Sequence, residues 1–223
     1  MKIIELKESV TASNDRDADA LREELTSKGV LLINLMSSPG SGKTTLLKKT
    51  VSDMSDQRIA VLEADIDSAV DAERMEAAGA KSIQVHTDGM CHMDAGMTKR
   101  GLDEMGLEDV DLAFLENVGN LICPAEFDTG AQKNVMILSV PEGDDKPQKY
   151  PLMFQKSDVL VITKMDTKGF FTFSIEKCVE RVKHLNPDIQ IFPVSAKTGE
   201  GMQEWEEWLR KAVNEIKQEE SRI

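Results

Sequence analysis

A turn rich in glycine and serine, followed by a lysine and two threonines, has the residue types that bind phosphate: Ser37-Ser38-Pro39-Gly40-Ser41-Gly42-Lys43-Thr44-Thr45. Gly40 and Gly42 let the backbone turn so that its N–H groups point at phosphate oxygens. Lys43 supplies a positive charge for the β- and γ-phosphates, and the Thr44 hydroxyl can ligate Mg²⁺. An apolar run precedes the turn and a helical pattern follows it, which is the context of a P-loop, although Ser37 stands where the usual pattern has glycine. The turn therefore predicts binding of a nucleoside triphosphate.

Acidic residues follow two further apolar runs, and ligands bind at the carboxyl ends of strands in open α/β sheets. Asp65 and Asp67 come after one run, where a carboxylate can hold Mg²⁺ and where a solvated acidic turn is the alternative. Glu116 ends another run and Gly119 follows it, a pairing that suits a switch sensing the γ-phosphate. Asp71 is a further candidate for organising the metal. The predicted catalytic residues are Lys43, Asp65 and Glu116, and the predicted Mg²⁺ ligands are Thr44, Asp65 and Glu116.

A later apolar strand pattern ends in Thr163-Lys164-Met165-Asp166, where GTP-binding proteins carry Asn-Lys-x-Asp. The Asp166 carboxylate can accept hydrogen bonds from N1–H and N2–H₂ of guanine, a donor pair that adenine lacks. The stem of Lys164 can cover the base, and Ser195-Ala196-Lys197 offers a backbone N–H to the guanine O6. These loops favour GTP over ATP and argue against an ATP-dependent kinase, while Thr163 leaves open how the loop is supported. The predicted nucleotide-binding residues are Gly40, Ser41, Gly42, Lys43, Thr44, Thr45, Lys164, Asp166, Ser195, Ala196 and Lys197.

Cys91, His92 and Cys123 form a second group of residues that could do chemistry. Thiolate and imidazole are preferred ligands of Zn²⁺ and Ni²⁺. One chain offers three such ligands here, and a symmetric dimer would supply ligands from both subunits. From spacing alone, a metal site and structural cysteines both remain open, because a buried cysteine often behaves as a small hydrophobe. Cys178 lies in an amphipathic helical pattern and is predicted to be a core residue.

The elements that must position these residues alternate between strand and helix. Apolar runs predict strands at Val30–Met36, Ile59–Glu63, Ser82–Val85, Leu112–Glu116, Asn134–Val140, Val159–Thr163 and Gln190–Val194. Helical periodicity predicts helices at Asn14–Lys28, Thr44–Ser52, Ala69–Ala78, Ile175–Leu185 and Gly201–Lys217. This order predicts an α/β P-loop NTPase fold, a mostly parallel, doubly wound sheet with helices on both faces. We assign residues 1–29 to an N-terminal segment with an amphipathic helix and residues 30–223 to the P-loop GTPase domain.

Composition narrows the class of protein further. The 223 residues carry 27 basic and 40 acidic side chains and a net charge of −13, which argues against nucleic-acid or anionic-membrane partners. No apolar run approaches the roughly 20 residues that a membrane span needs, and Met1–Val10 does not read as a signal peptide. Three cysteines do not make a disulfide framework, so a reducing cytoplasm is the expected compartment.

Several of these segments together resemble the HypB family, GTPases that assist nickel insertion into [NiFe]-hydrogenase. The segments are Asn34–Thr44, Cys91–Ala95, Glu116–Asp128 and Glu142–Pro147. The stretch from Glu116 to Ala125 is the most specific, since the urease relative of this family carries a Cys-Pro-His motif instead. The similarity extends from about Asn14 to the C-terminus.

The resemblance implies a GTP-dependent homodimer with the nucleotides near its interface. Cys91, His92 and Cys123 would then bind Ni²⁺ or Zn²⁺ at that interface, and Lys146 or Lys149 would reach the nucleotide of the other subunit. Hydrolysis would be slow and would need Mg²⁺, and loss of the γ-phosphate would move Cys123 through the switch. The implied partners are a HypA-like nickel chaperone, through the N-terminal helix region, and indirectly the hydrogenase large subunit.

One departure from the family and one rival function bear on the metal. Some members carry an N-terminal Cys-x-x-Cys-Gly-Cys motif or a His-rich tract, but this sequence has no Cys or His before His86. We therefore expect only the site within the GTPase domain. The alternative function is a nucleotide-regulated binding module without a transition-metal role.

Overall fold

The computed structural model describes residues 6–65, 75–87 and 89–222, and it describes only the backbone of residues 6–11 and 65. The candidates Asp67 and Asp71 lie outside the described residues, as does most of the predicted helix Ala69–Ala78. Residues 75–78 are helical, in agreement with the end of that predicted helix.

Seven parallel strands form one sheet in the order β3-β2-β4-β1-β5-β6-β7. Their bounds are β1 Leu31–Ser37, β2 Ile59–Asp65, β3 Lys81–His86, β4 Leu112–Glu116, β5 Lys133–Ser139, β6 Val159–Thr163 and β7 Gln190–Pro193. The predicted strands and the doubly wound fold are thus confirmed, with ends shifted by one or two residues. The strand order reverses direction at β1, and the carboxyl edge beside such a reversal is where these sheets bind ligands.

Besides the helical residues 75–78, eight helices precede, connect or follow the strands in the described part of the chain. Their bounds are α1 Leu6–Ser27, α2 Lys43–Asp53, α3 Ala95–Met105, α4 Cys123–Glu126, α5 Lys146–Lys149, α6 Pro151–Gln155, α7 Ile175–Leu185 and α8 Met202–Glu220, with 3-10 turns at Val140–Glu142 and Met165–Phe170. Helix α1 begins well before the predicted Asn14. Helix α3 was not predicted, although Asp94 caps it by accepting a hydrogen bond from Met97 N at 2.7 Å.

Helices cover both faces of the sheet because successive residues of a strand point in opposite directions. Ile33 of β1 belongs to a cluster with Leu47 of α2 and Trp205 of α8. Its neighbour Leu32 belongs to the opposite cluster, which includes Leu25 of α1. Each of these side chains contributes roughly 1.5–3 kcal/mol of hydrophobic free energy when fully buried. The two clusters hold β1, and with it the turn that follows, at a fixed place between two helical layers.

Helix α1 is fastened to the loop that follows β4. Arg22 makes two hydrogen bonds of 2.8 Å to the carboxylate of Asp128. Asn14 donates to the Asp128 carbonyl at 2.9 Å and accepts from Ala95 N, the first residue of α3, at 3.0 Å. The N-terminal helix therefore contacts the segment that contains Cys123, while the division of the chain at residue 29 stays a prediction.

Within the described residues, no helix combines the length and the apolar character needed to cross a membrane.

Candidate functional site

The P-loop lies between the end of β1 and the beginning of α2, at the centre of the sheet. Gly40 and Gly42 have φ of 74° and 96°, a backbone conformation that L side chains rarely adopt. Lys43 Nζ donates to Ser37 Oγ at 2.8 Å, so the serine that replaces glycine supplies a partner for this lysine. Since α2 begins at Lys43, its N-terminal N–H groups and dipole face the loop, as anion binding requires.

The predicted Mg²⁺ ligands of the P-loop and of β4 meet at the edge of the sheet. Thr44 Oγ1 donates to Glu116 Oε1 at 2.9 Å. Asp65 ends β2, which pairs with β4 in the register Glu63 to Glu116, but its side chain lies outside the described part of the structure. A hydroxyl and a carboxylate side by side at this edge are suitable oxygen ligands for Mg²⁺.

The end of β4 also touches the P-loop directly. A Cβ atom placed on Gly119 would lie 3.1 Å from Pro39 N and 3.2 Å from Pro39 Cα. The backbone of the switch thus approaches the backbone of the P-loop so closely that a side chain at this position would be in tight contact with Pro39. The arrangement fits the predicted γ-phosphate sensor, in which the glycine N–H and Glu116 act together.

The structure brings the two predicted base-reading loops together. Ser195 Oγ donates to Asp166 Oδ1 at 2.8 Å, and Lys197 Nζ lies 3.9 Å from Asp166 Oδ2. These contacts orient the carboxylate that would accept hydrogen bonds from guanine. Lys164 is in the left-handed conformation with φ of 59°, and its Nζ donates to Gly40 O at 2.7 Å. This bond joins the base-reading loop to the P-loop.

Thr163 supplies the support that the sequence left open. Its side chain is only 4% exposed, and Oγ1 donates to Ser41 O in the P-loop at 2.6 Å. A threonine hydroxyl thus joins the end of β6 to the phosphate loop. Together with the bond from Lys164 to Gly40, it gives the nucleotide site two short ties between its base-reading and phosphate-binding parts.

Cys91, His92 and Cys123 converge, although Cys123 lies more than 30 positions further along the sequence than the other two. Their ligand atoms all lie within 4.8 Å of one another. The two sulfurs are 2.7 Å apart, and Cys91 Sγ is 3.8 Å from His92 Nδ1. Two sulfurs and one imidazole nitrogen form a donor set that suits Ni²⁺ and Zn²⁺.

Burial adapts His92 to metal binding. It lowers the pKa of His92 below its usual value and outweighs the nearby carboxylates of Asp94 and Glu126, which favours the neutral imidazole that ligates metals. The ring stacks on Phe127 with centroids 3.9 Å apart. His92 Nε2 is buried and makes no hydrogen bond to any described residue. A metal ligated by this imidazole would therefore meet a ring that is already fixed in place.

The thiols differ according to their surroundings. The hydrogen bond with the Cys91 thiol raises the pKa of Cys123 above its usual value, and burial and repulsion between the two sulfurs act in the same direction. A bound cation would remove this penalty by stabilising both thiolates. Cys178 is fully buried among apolar side chains, which raises its pKa to about 12, and the prediction that it is a core residue is confirmed.

The segment after β5 joins the P-loop as well. Ser38 Oγ donates to Glu142 Oε1, and Glu142 also accepts from Ser139 N at 2.8 Å. Lys146 Nζ lies 3.8 Å from Glu142 Oε1, whereas Lys149 Nζ pairs with Asp145 at 2.6 Å. Both lysines are thus engaged within this chain, and their reach to a second subunit stays a prediction.

Two buried amides were missed as site residues. Asn117 Oδ1 accepts from Met93 N at 3.2 Å and from Val118 N at 2.9 Å, while Asn117 Nδ2 donates to Asn34 Oδ1 at 3.0 Å. Both asparagines are 1% exposed. The signal in the sequence was Asn34 itself, a single amide inside the otherwise apolar run of β1.

Comparison with known proteins identifies the family. The model of the CobW/HypB/UreG family, nucleotide-binding domain, matches residues 31–193. The hydrogenase maturation factor HypB of Escherichia coli K12 is 42% identical over 209 residues, which cover 93% of this chain and 72% of that protein. The hydrogenase/urease maturation factor HypB of Helicobacter hepaticus is 42% identical over 205 residues, 90% of this chain and 84% of that protein.

Solved structures agree with the sequence comparisons. HypB from Helicobacter pylori in complex with nickel matches with a TM-score of 0.86 and 37% identity, covering 91% of this chain and 96% of that one. HypB from Archaeoglobus fulgidus matches with a TM-score of 0.85 and 37% identity, covering 91% and 99%. The signal recognition particle receptor FtsY of Elizabethkingia anophelis, at 15% identity and a TM-score of 0.55, shares the fold alone. The P-loop, the converging cysteines and these matches together show that the chain belongs to the CobW/HypB/UreG family and, within it, to HypB.

Proposed function

We propose that this chain is a GTP-hydrolysing metallochaperone that assists nickel insertion into [NiFe]-hydrogenase. One observation carries the proposal. The segment after β4 runs from Glu116, which is bonded to Thr44 of the P-loop, directly into Cys123 beside Cys91 and His92. Nucleotide and metal ligands therefore share one short stretch of chain, so that a change at the γ-phosphate reaches the metal.

The nucleotide of this proposal is GTP with Mg²⁺. Asp166 accepts guanine donors, Lys43 binds phosphate, and Thr44 with Glu116 and Asp65 holds the cation and orients water. Hydrolysis is slow because none of the catalytic candidates named here is a glutamine or an arginine, the residues that faster GTPases use.

The transported metal is Ni²⁺ or Zn²⁺, and the site is completed in a homodimer. An exposed apolar side chain precedes each cysteine: Met90, before Cys91, is 39% exposed, and Ile122, before Cys123, is 58% exposed. A second copy that covers them would add its own thiolates and imidazole to the three ligands of this chain. GTP favours this dimer because the switch and Cys123 lie on one continuous segment.

The partners of the proposed function follow from the family. The named relatives are hydrogenase maturation factors, and one solved relative is a nickel complex. A HypA-like nickel chaperone would dock near α1, the metal would pass indirectly to the hydrogenase large subunit, and the chain would work in the cytoplasm.

Equilibrium dialysis with Ni²⁺ tests the metal role. The wild type is expected to bind Ni²⁺, whereas Cys91→Ala and Cys123→Ala are expected to lose at least tenfold in affinity because each lacks one ligand. Cys178→Ala is the matched control, since it removes a thiol from the core. Equal uptake by all four proteins would contradict the proposal and favour a nucleotide-regulated binding module without a transition metal.

A further inference from the structure

A chain of three amides crosses the sheet beneath the carboxyl edge. Asn34 and Asn134 face each other in the β1–β5 register, and Asn34 Nδ2 donates to Asn134 Oδ1 at 2.9 Å. Asn117 Nδ2 donates to Asn34 Oδ1 at 3.0 Å. Each amide thereby forms a hydrogen bond with the next within an apolar layer, where a buried amide without a partner would destabilise the fold by about 1–3 kcal/mol. The side chain of Asn117 consequently has one well-defined orientation.

Asn117, at one end of this chain of amides, forms a hydrogen bond with the loop that carries Cys91 and His92. Asn117 Oδ1 accepts from the backbone N–H of Met93, the residue after His92, at 3.2 Å. The Met93 side chain is fully buried, so packing of this side chain as well as the hydrogen bond to Asn117 holds the backbone at Met93. The loop that carries Cys91 and His92 comes from β3, the edge strand, and Asn117 connects it to β4 near the centre of the sheet.

Asn117 also lies between the two parts of the switch. Glu116 before it bonds to Thr44, and Gly119 after it packs on the P-loop. Its own backbone N–H donates to Leu35 O in β1 at 3.1 Å. A displacement of this strand end would therefore move the Asn117 side chain together with the residues that sense phosphate.

We propose that Asn117 is a positioning residue for the metal cargo, which makes the Cys91–His92 loop move with the nucleotide switch. Cys123 follows the switch through the covalent chain, and Cys91 with His92 follows it through the hydrogen bond from Met93 N–H. Both arms of the metal site are thus attached to one strand end. This inference rests on the proposed function, because it takes the cluster as a nickel site.

Three variants separate this role from a merely structural one. Asn117→Ala removes the acceptor for Met93 N–H and the donor to Asn34. Asn117→Asp keeps the acceptor, and Asn34 and Asn134 can reverse their amides to donate along the chain, so three N–H donors stabilise the new carboxylate. Asn134→Ala is the matched control, as it removes an amide at the far end of the chain. If Asn117→Ala fails to fold, Asn117→Ser replaces it, since its short hydroxyl cannot reach Met93.

The first measurement needs no metal. Backbone hydrogen exchange followed by mass spectrometry reports the protection of the peptide that contains Met93. Asn117→Ala is expected to speed exchange there, while Asn117→Asp and Asn134→Ala are expected to retain the wild-type protection. Unchanged exchange in Asn117→Ala would show that the hydrogen bond does not hold this loop.

The second measurement is Ni²⁺ affinity by chelator competition, with GDP and with a non-hydrolysable GTP analogue. The wild type is expected to have different Ni²⁺ affinities with GDP and with the GTP analogue. Asn117→Ala is expected to bind Ni²⁺ about tenfold more weakly, as for other residues that orient metal ligands, and to bind it equally with either nucleotide. Asn117→Asp is expected to regain the wild-type affinity and its dependence on the nucleotide. Equal wild-type affinity in both states, or a wild-type response in Asn117→Ala, would overturn the inference but leave metal binding intact. A wild type that binds no Ni²⁺ would overturn the proposed function as well.

Discussion

The nucleotide site and the cysteine cluster differ in how their parts are joined. At the nucleotide site, Thr163 and Lys164 bond directly to the P-loop carbonyls of Ser41 and Gly40, at 2.6 and 2.7 Å. At the cluster, Cys91 lies in the loop after β3 and Cys123 begins the short helix α4, so neither cysteine lies in a strand of the sheet. The first site is fixed by adjoining strand ends, whereas the second takes its shape from the loops that pack on the switch.

This difference indicates which site is preformed. Strands β1 and β6 are buried along their whole length, so the loops at their ends are held by the core. The cysteines are only partly buried, and they approach each other where the switch segment ends. The proposed metallochaperone function would need this combination, since the nucleotide would have to bind in every state and the metal would have to be released in one of them.

The largest effect is expected for Asp166→Asn, which changes the nucleotide site alone. The amide loses the charged acceptor for N1–H and N2–H₂, so GTP affinity should fall about 100-fold and xanthosine triphosphate should bind better. Titration with fluorescent nucleotides measures both. Asp188→Asn, at an exposed carboxylate, is the control. Unchanged GTP affinity would refute the assignment of Asp166, and altered Ni²⁺ uptake without nucleotide would show that Asp166 also affects the cysteine cluster.

Gly119→Ala should break the connection between the two sites. The added Cβ would meet the backbone of Pro39 at 3.1 Å, so the switch must move away from the P-loop. Hydrolysis of GTP should fall about tenfold while GDP affinity stays within about twofold, because only the γ-phosphate contact is displaced. Gly169→Ala is the control, since a Cβ there meets nothing within 4 Å. Equal loss of GDP and GTP affinity would show that the glycine serves the whole loop instead.

The placement of the candidate nucleotide-site residues at one edge of the sheet was predictable from the sequence, and the reason is local. Buried strands appear as apolar runs, and the residues just after them must lie at the carboxyl edge of a parallel sheet. Glu116, which ends β4, and Asp166, which follows β6, both lie where this rule places them. The pairing of Thr163 with Ser41 was not predictable, because it depends on how two distant strand ends approach each other.

The cysteine cluster was predictable in its members but not in its support. Ligand type singled out Cys91, His92 and Cys123, while their convergence depends on packing between loops. Asn117 was passed over because an asparagine after a strand usually forms a turn, and nothing in the sequence pairs it with Met93. Helix α3 was missed for a related reason, since Gly96 and Gly101 weaken its helical propensity and Gly101 packs against Leu62.

Thr163→Val should weaken the nucleotide site by a smaller amount. The isosteric change leaves the buried Ser41 carbonyl without its hydroxyl donor, which costs about 1–2 kcal/mol and should lower GTP and GDP affinity equally, by about tenfold. Thr163→Ser keeps the hydroxyl and should retain most of the affinity. Isothermal titration with both nucleotides measures the effect. A loss confined to GTP would place Thr163 in the switch rather than in the support of the base-reading loop.

The smallest effect should come from Glu206 in α8, outside both sites. Burial, together with a hydrogen bond that its protonated carboxyl donates to the neighbouring Asp53, raises its pKa to about 7. A carboxyl group whose pKa is higher in the folded than in the unfolded state binds more protons when folded, so stability falls as pH rises from about 4.5 to 7. Glu206→Gln has no carboxyl group to ionise here, so its stability should not fall over this pH range. Its unfolding temperature at pH 8 should be a few degrees higher than that of the wild type, and the two unfolding temperatures should become equal near pH 5.

Exposed Glu207→Gln provides the control for that comparison, because it removes the same charge from the adjacent position of the helix. A gain that is equal at pH 5 and pH 8 would mean that packing, rather than the buried carboxylate, sets the difference. Affinity for GTP and for Ni²⁺ should stay unchanged in Glu206→Gln, since α8 packs on the sheet face through Trp205 and Leu209 and supplies no ligand to either site. A change in Ni²⁺ affinity alone would show that the cysteine cluster responds to the stability of the whole domain. The difference between the nucleotide site and the cluster would then come from domain stability rather than from the hydrogen bond of Asn117.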